Sequence, residues 1–307
     1  MDLRPVADGL VFPEGPVVLA DGSVLVVEVL GGRLTRIDND GTKAVVAQTG
    51  GGPNGAAMGP DGRCWITNNG GYASAQMNGM LLPSDAPLET LPGTIQAVDL
   101  ATGAVETIYD SGPNAPLWGP NDLVFDAHGG FWFTDFGRNR GRVRTRGAVY
   151  YALADGSRIV EAIYPLDSPN GIGLSPDGST LYVADTFPSQ VLSFRLSAPG
   201  KVDRSAGHIP NGANIVGRAG PGEALDSLAV DSAGNICVAS PGKGAVLVFK
   251  PQGGEPERIP TPDFLTTNIA FGGSELSTAY ITLGATGRLV TMPWPRPGLR
   301  LNYQETR

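Results

Sequence analysis

The chain is poor in the residues on which many enzymes depend. Its 307 residues include two histidines, His128 and His208, which nearly excludes a multi-histidine zinc site or a Ser-His-Asp triad. We therefore expect carboxylates to carry any acid–base chemistry. The two cysteines, Cys64 and Cys237, each lie within an apolar run. We interpret them as small buried residues in a reducing cytoplasm rather than as a disulfide.

Long apolar runs and an excess of positive charge are also absent. No apolar stretch approaches the length of about 20 residues that a membrane-spanning helix needs, and the start, Met-Asp-Leu-Arg-Pro, lacks a signal-peptide core. The net charge of −8 argues against nucleic acid, which proteins bind mainly through basic side chains. We expect a cytoplasmic protein, a monomer or weak homo-oligomer, that acts on a small molecule without nucleic-acid or membrane partners.

Glycine and proline, in contrast, are abundant, at 44 and 26 residues. They separate short apolar runs with turns such as Asp21-Gly22, Asp61-Gly62 and Asp177-Gly178, which are typical of hairpins. The pattern recurs with a period of roughly 40–65 residues, as expected for blades of four strands. We predict an all-β, six-bladed β-propeller that forms a single domain over residues 1–307. The segment Arg4–Leu10 should supply the outer strand of the last blade.

One polar position opens every repeat. Innermost propeller strands run along a common axis, so residues at their starts should meet at one mouth of the channel. Carboxylates and amides that meet there describe a site for a hard cation. A single Asn is more often a turn residue or a strand-end cap, but that alternative has to explain the whole set at once. The six positions are Glu14, Asn54, Asn121 and Asn170, each preceded by proline, and Asp226 and Asn268, which are not.

Two long loops should lie at this same mouth. Residues Asn69–Gly93, which include Tyr72, form either a lid or a simple surface excursion. The segment Arg138–Arg146 carries five arginines in an otherwise acidic chain. We interpret it first as a solvated ribbon with arginine on one face, and as an alternative a patch that attracts anionic substrates.

Five segments, in order and at blade spacing, together resemble the SMP-30/gluconolactonase/luciferin-regenerating-enzyme family. The resemblance covers nearly the whole chain, and it implies a six-bladed propeller with a divalent cation in the channel. The expected cation is Ca²⁺, with Mg²⁺, Mn²⁺ or Zn²⁺ as alternatives, and the expected activity is hydrolysis of lactones or phosphoesters. The segments are Phe12-Pro-Glu-Gly-Pro16, Gly119-Pro-Asn-Asp122, Ser168-Pro-Asn-Gly171, Leu225–Asp231 and Thr266–Gly273.

The resemblance also implies a set of metal ligands: Glu14, Asn121, Asn170 and Asp226. Asp226 would in addition be the catalytic base or nucleophile. Four oxygen donors with two negative charges leave coordination positions for water and a substrate oxygen, which suits a hard cation such as calcium. Such a cation polarises a carbonyl and stabilises the oxyanion that forms from it.

Residues next to this set are expected to contact the substrate. We predict that Asn54, Trp118 and Arg138 bind substrate, with Asn268 as a weaker candidate. Asp122 directly follows a ligand position on a strand, so the alternation of side chains predicts that it points away from the axis.

The chain also departs from the family pattern. Gly119 stands where sugar-lactone members often carry arginine, which speaks against a plain sugar lactone and favours a small, carboxylated one. No histidine follows His208, so the second, structural calcium of phosphotriesterase-like members is not expected. The alternatives are a phosphotriesterase-like hydrolase or a metal-dependent isomerase at the same site. A binding propeller without catalytic activity is less favoured.

Overall fold

The structure, a computed structural model, describes residues 2–78, 80–84 and 91–304. Six antiparallel sheets follow one another along the chain, and in each the strand that comes first in sequence order within the repeat is innermost. Blade 1 contains β2 (Pro13–Val18), β3 (Val24–Glu28), β4 (Arg33–Ile37) and β5 (Lys43–Gln48). Blade 2 contains β6 (Pro53–Met58), β7 (Cys64–Asn68), β10 (Thr94–Val98) and β11 (Val105–Tyr109). Blade 3 contains β12 (Pro120–Phe125), β13 (Gly130–Asp135), β16 (Gly147–Leu153) and β17 (Ile159–Leu166).

The second half of the ring repeats this order. Blade 4 contains β18 (Pro169–Leu174), β19 (Thr180–Asp185), β20 (Gln190–Ala198) and β22 (Ala213–Arg218), with β21 (Lys201–Val202) beside β20 and a 3₁₀ turn at Arg204–Ala206. Blade 5 contains β23 (Leu228–Val230), β24 (Ile236–Ser240), β25 (Ala245–Phe249) and β26 (Glu257–Pro260). Blade 6 contains β27 (Thr266–Gly272), β28 (Thr278–Leu283), β29 (Arg288–Pro293) and β1 (Arg4–Ala7). Two small hairpins stand apart from the blades: β8 (Ala73–Met77) with β9 (Met80–Ser84), and β14 (Asn139–Arg140) with β15 (Val143–Arg144).

The ring closes by pairing the two ends of the chain. β1 runs antiparallel to β29, with Arg4 opposite Thr291 and Pro5 opposite Val290. This confirms the prediction that the leading segment supplies the outer strand of the last blade. The innermost strands contact one another in cyclic order, β2–β6–β12–β18–β23–β27 and back to β2. The predicted six-bladed propeller is therefore confirmed.

Each blade is apolar on both faces because it packs between two neighbours. In β13, Trp132 belongs to the core shared with blade 4, while Phe131 and Phe133 belong to the core shared with blade 2. Alternate side chains of a strand point to opposite faces, so a continuous apolar run fills both interfaces. Cys64 and Cys237 are both buried and free, as expected. None of the described helical segments is long and apolar enough to cross a membrane.

The far end of the channel is closed by residues Leu299–Gln304. The Asn302 amide donates to the carbonyl of Phe125 (2.9 Å), and the Gln304 amide donates to the carbonyl of Phe271 (3.1 Å). Between this segment and the strand starts lies a largely apolar cavity of about 90 Å³, walled by the innermost strands.

Candidate functional site

The residues that open the six repeats form a closed circuit at one mouth of the channel. Four of them occupy the second position of an innermost strand, Asn268 the third position of β27, and Asp226 lies just before β23. Five are buried, while Asp226 keeps part of its surface open. We call this set the ring residues: Glu14, Asn54, Asn121, Asn170, Asp226 and Asn268.

Glycines let consecutive ring residues approach closely. A Cβ on Gly15 would lie 2.7 Å from the carbonyl oxygen of Asn54, and one on Gly55 would lie 2.7 Å from that of Asn121. A Cβ on Gly171 would likewise lie 2.7 Å from the carbonyl oxygen of Asp226. Real Cβ atoms do not make such contacts, so glycine after the ring residue is what allows the blades to meet there.

Side-chain hydrogen bonds link two pairs of neighbouring ring residues. The Asn170 amide donates to the Asp226 carboxylate. Between blades 6 and 1, Asn268 Nδ2 donates to Glu14 Oε2 at 2.8 Å, while Asn268 Oδ1 accepts from the Ile269 N–H at 2.7 Å. The Asn268 oxygen is thus already engaged, and its amide orients Glu14.

Three amide oxygens in the ring have no hydrogen-bond partner. Asn54 Oδ1, Asn121 Oδ1 and Asn170 Oδ1 are all buried, and nothing in the described part of the chain donates to them. A buried polar atom without a partner costs about 1–3 kcal/mol. Hard cations such as Ca²⁺ take amide and carboxylate oxygens as ligands, so the donor set fits such an ion. Among the described residues, His, Cys, Asp and Glu do not by themselves form a group of three suited to a metal.

The carboxylates of the site share a confined volume. Burial, the largest cause, raises the pKa of Glu14 well above its ordinary value, and the nearby Asp226 raises it further. Burial is also the largest cause that raises the pKa of Asp226, to about 7. The hydrogen bond from Asn170 lowers that pKa and the Asp122 charge raises it. A bound cation would favour the ionised forms of all three carboxyl groups.

The prediction that Asp122 points away from the axis is wrong. Its carboxylate accepts from the Leu123 N–H (3.0 Å), would lie 2.7 Å from a Cβ on Gly55 of blade 2, and lines the channel. The cause is a β-bulge: Pro120 pairs with Asp135 and Leu123 with Phe133, so Asn121 and Asp122 together oppose the single residue Thr134. Alternation fails at a bulge.

The same bulge recurs at other ring positions. The register shifts between Pro53 and Ala56 in blade 2, and between Pro169 and Ile172 in blade 4. Threonines opposite the bulges connect neighbouring blades: Thr67 Oγ1 donates to the Asn121 carbonyl (2.5 Å), and Thr134 Oγ1 donates to the Asn170 carbonyl (2.6 Å). These hydrogen bonds hold Asn121 and Asn170 against the blade that precedes each of them.

A second layer of polar residues, which the sequence interpretation missed, holds the loops before the ring. Each is the last residue of the second strand of its blade. Its side-chain oxygen accepts hydrogen bonds from backbone N–H groups that lie two or three residues before a ring residue. The available signal was a single acid or amide at the end of an apolar strand. The pairs are Glu28 with Val11 (2.7 Å), Asn68 with Gly52 (2.9 Å), Asp135 with Trp118 and Gly119 (2.7 and 2.8 Å), and Asp185 with Ser168 (2.7 Å).

The predicted substrate contacts Trp118 and Arg138 lie together at the mouth. Arg138 is buried, its Nε donates to the Trp118 carbonyl (2.8 Å), and another guanidinium nitrogen donates to the Asn69 carbonyl. Arg138 thus ties the loop that precedes Asn121 to the end of β7. Its contact with a substrate, like that of Trp118 and Asn54, stays a prediction.

The rest of the arginine segment is engaged with protein where the structure shows its contacts. Arg144 pairs with Asp167 (3.2 Å) and stacks over Phe187, with 4.3 Å from guanidinium carbon to ring centroid. Arg146 donates to the Leu166 carbonyl at 3.1 Å. These contacts favour the ribbon interpretation over the anion patch. The predicted lid, 69–93, is described except for residues 79 and 85–90, which lie outside the described residues.

Comparison with known proteins agrees with this architecture. Residues 12–285 match the family description "SMP-30/Gluconolactonase/LRE-like region". Lactonase drp35 of Staphylococcus haemolyticus is 30% identical over 247 residues, which cover 78% of this chain and 66% of that protein. The chain thus spans slightly less than two thirds of that relative, and its match to the Staphylococcus saprophyticus protein of the same name spans 39% of it, at 38% identity.

Solved structures show the same fold. A gluconolactonase from Xanthomonas campestris superposes with a TM-score of 0.74 at 24% identity, covering 95% of this chain and 89% of that one. The calcium-binding protein regucalcin from Agrobacterium tumefaciens gives a TM-score of 0.73 at 22% identity and covers 98% of each chain. With the family match extending over most of the sequence, the chain belongs to the SMP-30/gluconolactonase/LRE-like family.

Proposed function

We propose that the protein is a metal-dependent hydrolase that opens a small lactone. Lactone hydrolysis is proposed because two relatives, 30% and 38% identical over the matched residues, are lactonases by name. A carboxylated lactone is proposed rather than a plain sugar lactone because Gly119 replaces the arginine typical of sugar-lactone members. Metal dependence rests on the ring residues themselves.

The observation that carries the proposal is the set of buried amide oxygens without partners. Asn54, Asn121 and Asn170 each carry a buried, unsatisfied Oδ1, and the ring they belong to also contains the Glu14 and Asp226 carboxylates. A purely structural cluster would pair these atoms with donors, because an unpaired buried oxygen destabilises the fold. The donors proposed to hold the ion are Glu14, Asn121, Asn170 and Asp226, with Asn54 next to them, and Ca²⁺ suits this hard-oxygen set best.

When bound, such a cation would polarise the lactone carbonyl and stabilise negative charge on its oxygen. The chain's own residues would manage the protons. Asp226, held by the Asn170 amide and partly open to the mouth, takes a proton from the attacking water. The water oxygen bonds to the acyl carbon, the ring C–O bond breaks, and the proton passes to the departing alkoxide. Direct attack by the carboxylate is the alternative route.

The test is hydrolysis of five- and six-membered lactones, plain and carboxylated, by pH-stat. The protein is measured as prepared, after chelation, and after Ca²⁺ is restored. We expect turnover that chelation abolishes and Ca²⁺ recovers. Asp226→Asn should lower kcat by at least about a hundredfold with the fold intact. The matched control, Asp177→Asn, changes a turn at the opposite mouth and should leave kcat unchanged.

Other outcomes would redirect the assignment. Turnover that persists in Asp226→Asn and in Glu14→Gln would remove the catalytic roles given to these carboxylates. Folded, Ca²⁺-loaded protein that hydrolyses no lactone would move the assignment to phosphoesters, to isomerisation, or to a binding role.

A further inference from the structure

Asn69 is a buried polar residue at the mouth that the proposed mechanism does not use. It directly follows β7 and is 2% exposed. Its backbone is held on both sides, because its N–H donates to the Gly52 carbonyl (2.9 Å) and its own carbonyl accepts from Arg138. Its side-chain Oδ1 accepts the Gly71 N–H at 2.9 Å. The side chain is therefore fixed in place.

The remaining polar atom of this side chain is unsatisfied. Asn69 Nδ2 is buried, and no acceptor for it occurs among the residues that the structure describes. The orientation of the amide is fixed by the Gly71 hydrogen bond, since a flipped amide would place a donor against a donor. A buried donor without a partner destabilises the fold, so a partner from outside the chain would recover that loss.

The loop before Asn54 places this donor beside the proposed site. A Cβ on Gly52 would lie 2.3 Å from Asn69 Oδ1 and 3.1 Å from Asn69 Nδ2, so the amide packs directly over Gly52. Gly52 stands two residues before the ring residue Asn54. The unsatisfied donor thus lies at the mouth, beside the loop that leads into Asn54.

Tyr72 provides a second observation on the same segment. Burial raises the pKa of its phenol, and the charges of Arg138, Asp135 and Asp226 also act on that phenol. Tyr72, three residues after Asn69, therefore lies at the same mouth as Asp226.

We propose that Asn69 Nδ2 binds the substrate, donating a hydrogen bond to an oxygen substituent carried on the lactone ring. The inference rests on the proposed function. The donor lies beside the loop that leads into Asn54, outside the set proposed to hold the cation, so it is assigned to a hydroxyl or carboxylate elsewhere on the lactone ring rather than to the carbonyl under attack. The preferred substrate class is accordingly an oxygen-substituted lactone rather than a plain alkyl one.

The test compares a plain five-membered lactone with its hydroxy-substituted counterpart in wild type and Asn69→Ala. The substitution removes the donor and adds no charge and no new acceptor for the substrate hydroxyl. We expect kcat/KM for the hydroxylactone to fall about tenfold, mainly through KM, since one hydrogen bond is lost. The plain lactone should change by less than about twofold. Asn39→Ala at the opposite mouth is the matched control.

Cation affinity and melting temperature distinguish recognition from a structural role. In Asn69→Ala, which adds no charge, both should stay close to the wild-type values. Equal losses on both lactones, a parallel loss of Ca²⁺ affinity, or unchanged kinetics would each overturn the assignment of Asn69 while lactone hydrolysis stands. A wild-type protein that hydrolyses neither lactone would overturn the proposed function and, with it, this inference.

Discussion

Without the proposed divalent cation, the protein should become less stable as the pH rises from about 4 to 7. Burial raises the pKa of Asp122 to about 7, and the pKa of Glu14 and Asp226 is raised as well. Between the unfolded and folded pKa values the folded state holds more protons than the unfolded state. The free energy of unfolding then decreases with pH. Below about pH 4 both states are protonated and the penalty disappears.

The size of the effect follows from Asp122 alone. Its folded pKa of about 7 lies about 3 units above the ordinary value near 3.9, which corresponds to about 4 kcal/mol. An unfolding entropy of about 2.1 cal/mol/K per residue gives about 0.65 kcal/mol/K for 307 residues. The melting temperature should therefore fall by about 6 °C. Ca²⁺ at about 100 times its Kd would add about 2.7 kcal/mol, or about 4 °C.

The assay is scanning calorimetry of chelated and Ca²⁺-loaded protein at half-unit pH steps. Asp122→Asn should flatten the pH slope of the chelated protein, because it removes one buried ionisable group. Asp110→Asn, at an exposed position, should leave the slope unchanged. A chelated protein whose melting temperature stays constant or rises over this interval would refute the electrostatic description of the channel.

Three further predictions test other parts of the fold. Gly55→Ala forces a Cβ to 2.7 Å from the blade 3 backbone. We expect the free energy of unfolding to fall by about 1–3 kcal/mol and Ca²⁺ binding, measured by calorimetry, to weaken. Unchanged values would contradict the close approach. Burial alone would raise the pKa of Glu28, but hydrogen bonds, chiefly from Arg33, lower it. The difference in the free energy of unfolding between wild type and Glu28→Gln, measured in urea, should thus reach its maximum above about pH 4.5 and decrease as the pH falls through the folded pKa. A difference that does not change with pH would contradict the lowered pKa of Glu28. Ending the chain after Pro297 removes the Asn302–Phe125 hydrogen bond, so hydrogen exchange at the far ends of the innermost strands should accelerate, and unchanged exchange would show that this segment does not seal the channel.

The fold was predictable because its signals are local. Turns such as Asp61-Gly62 and the apolar runs around them define hairpins without knowledge of distant residues, and their recurrence gives the blade count. Closure by Arg4–Ala7 followed from counting strands, since the last repeat lacked its fourth. The ring positions were also readable, because one polar residue begins each innermost strand.

The supporting interactions were not predictable in the same way. That Asp135 accepts N–H groups from Trp118 and Gly119 depends on a loop and a strand end that meet only after folding. The direction of Asp122 depended on a bulge, and sequence alternation assumes that none is present. The engagement of Arg138 with the Asn69 carbonyl joins two blades and leaves no trace in either segment alone.

A departure from the repeat in blade 3 gives the site its third carboxylate. At the bulges of blades 1, 2 and 4, the residue after the ring position is glycine: Gly15, Gly55 and Gly171. In blade 3 that residue is Asp122, and the bulge turns its side chain into the channel, beside the close-packed Gly55. A neutral residue there would leave the ring with two negative charges, so Asp122 adds a third close to the proposed cation. The Asp122 charge would strengthen the attraction for that ion. When the ion is absent, ionising this buried carboxyl group would destabilise the fold. The pH dependence of the chelated protein is therefore a direct measure of this departure from the repeat.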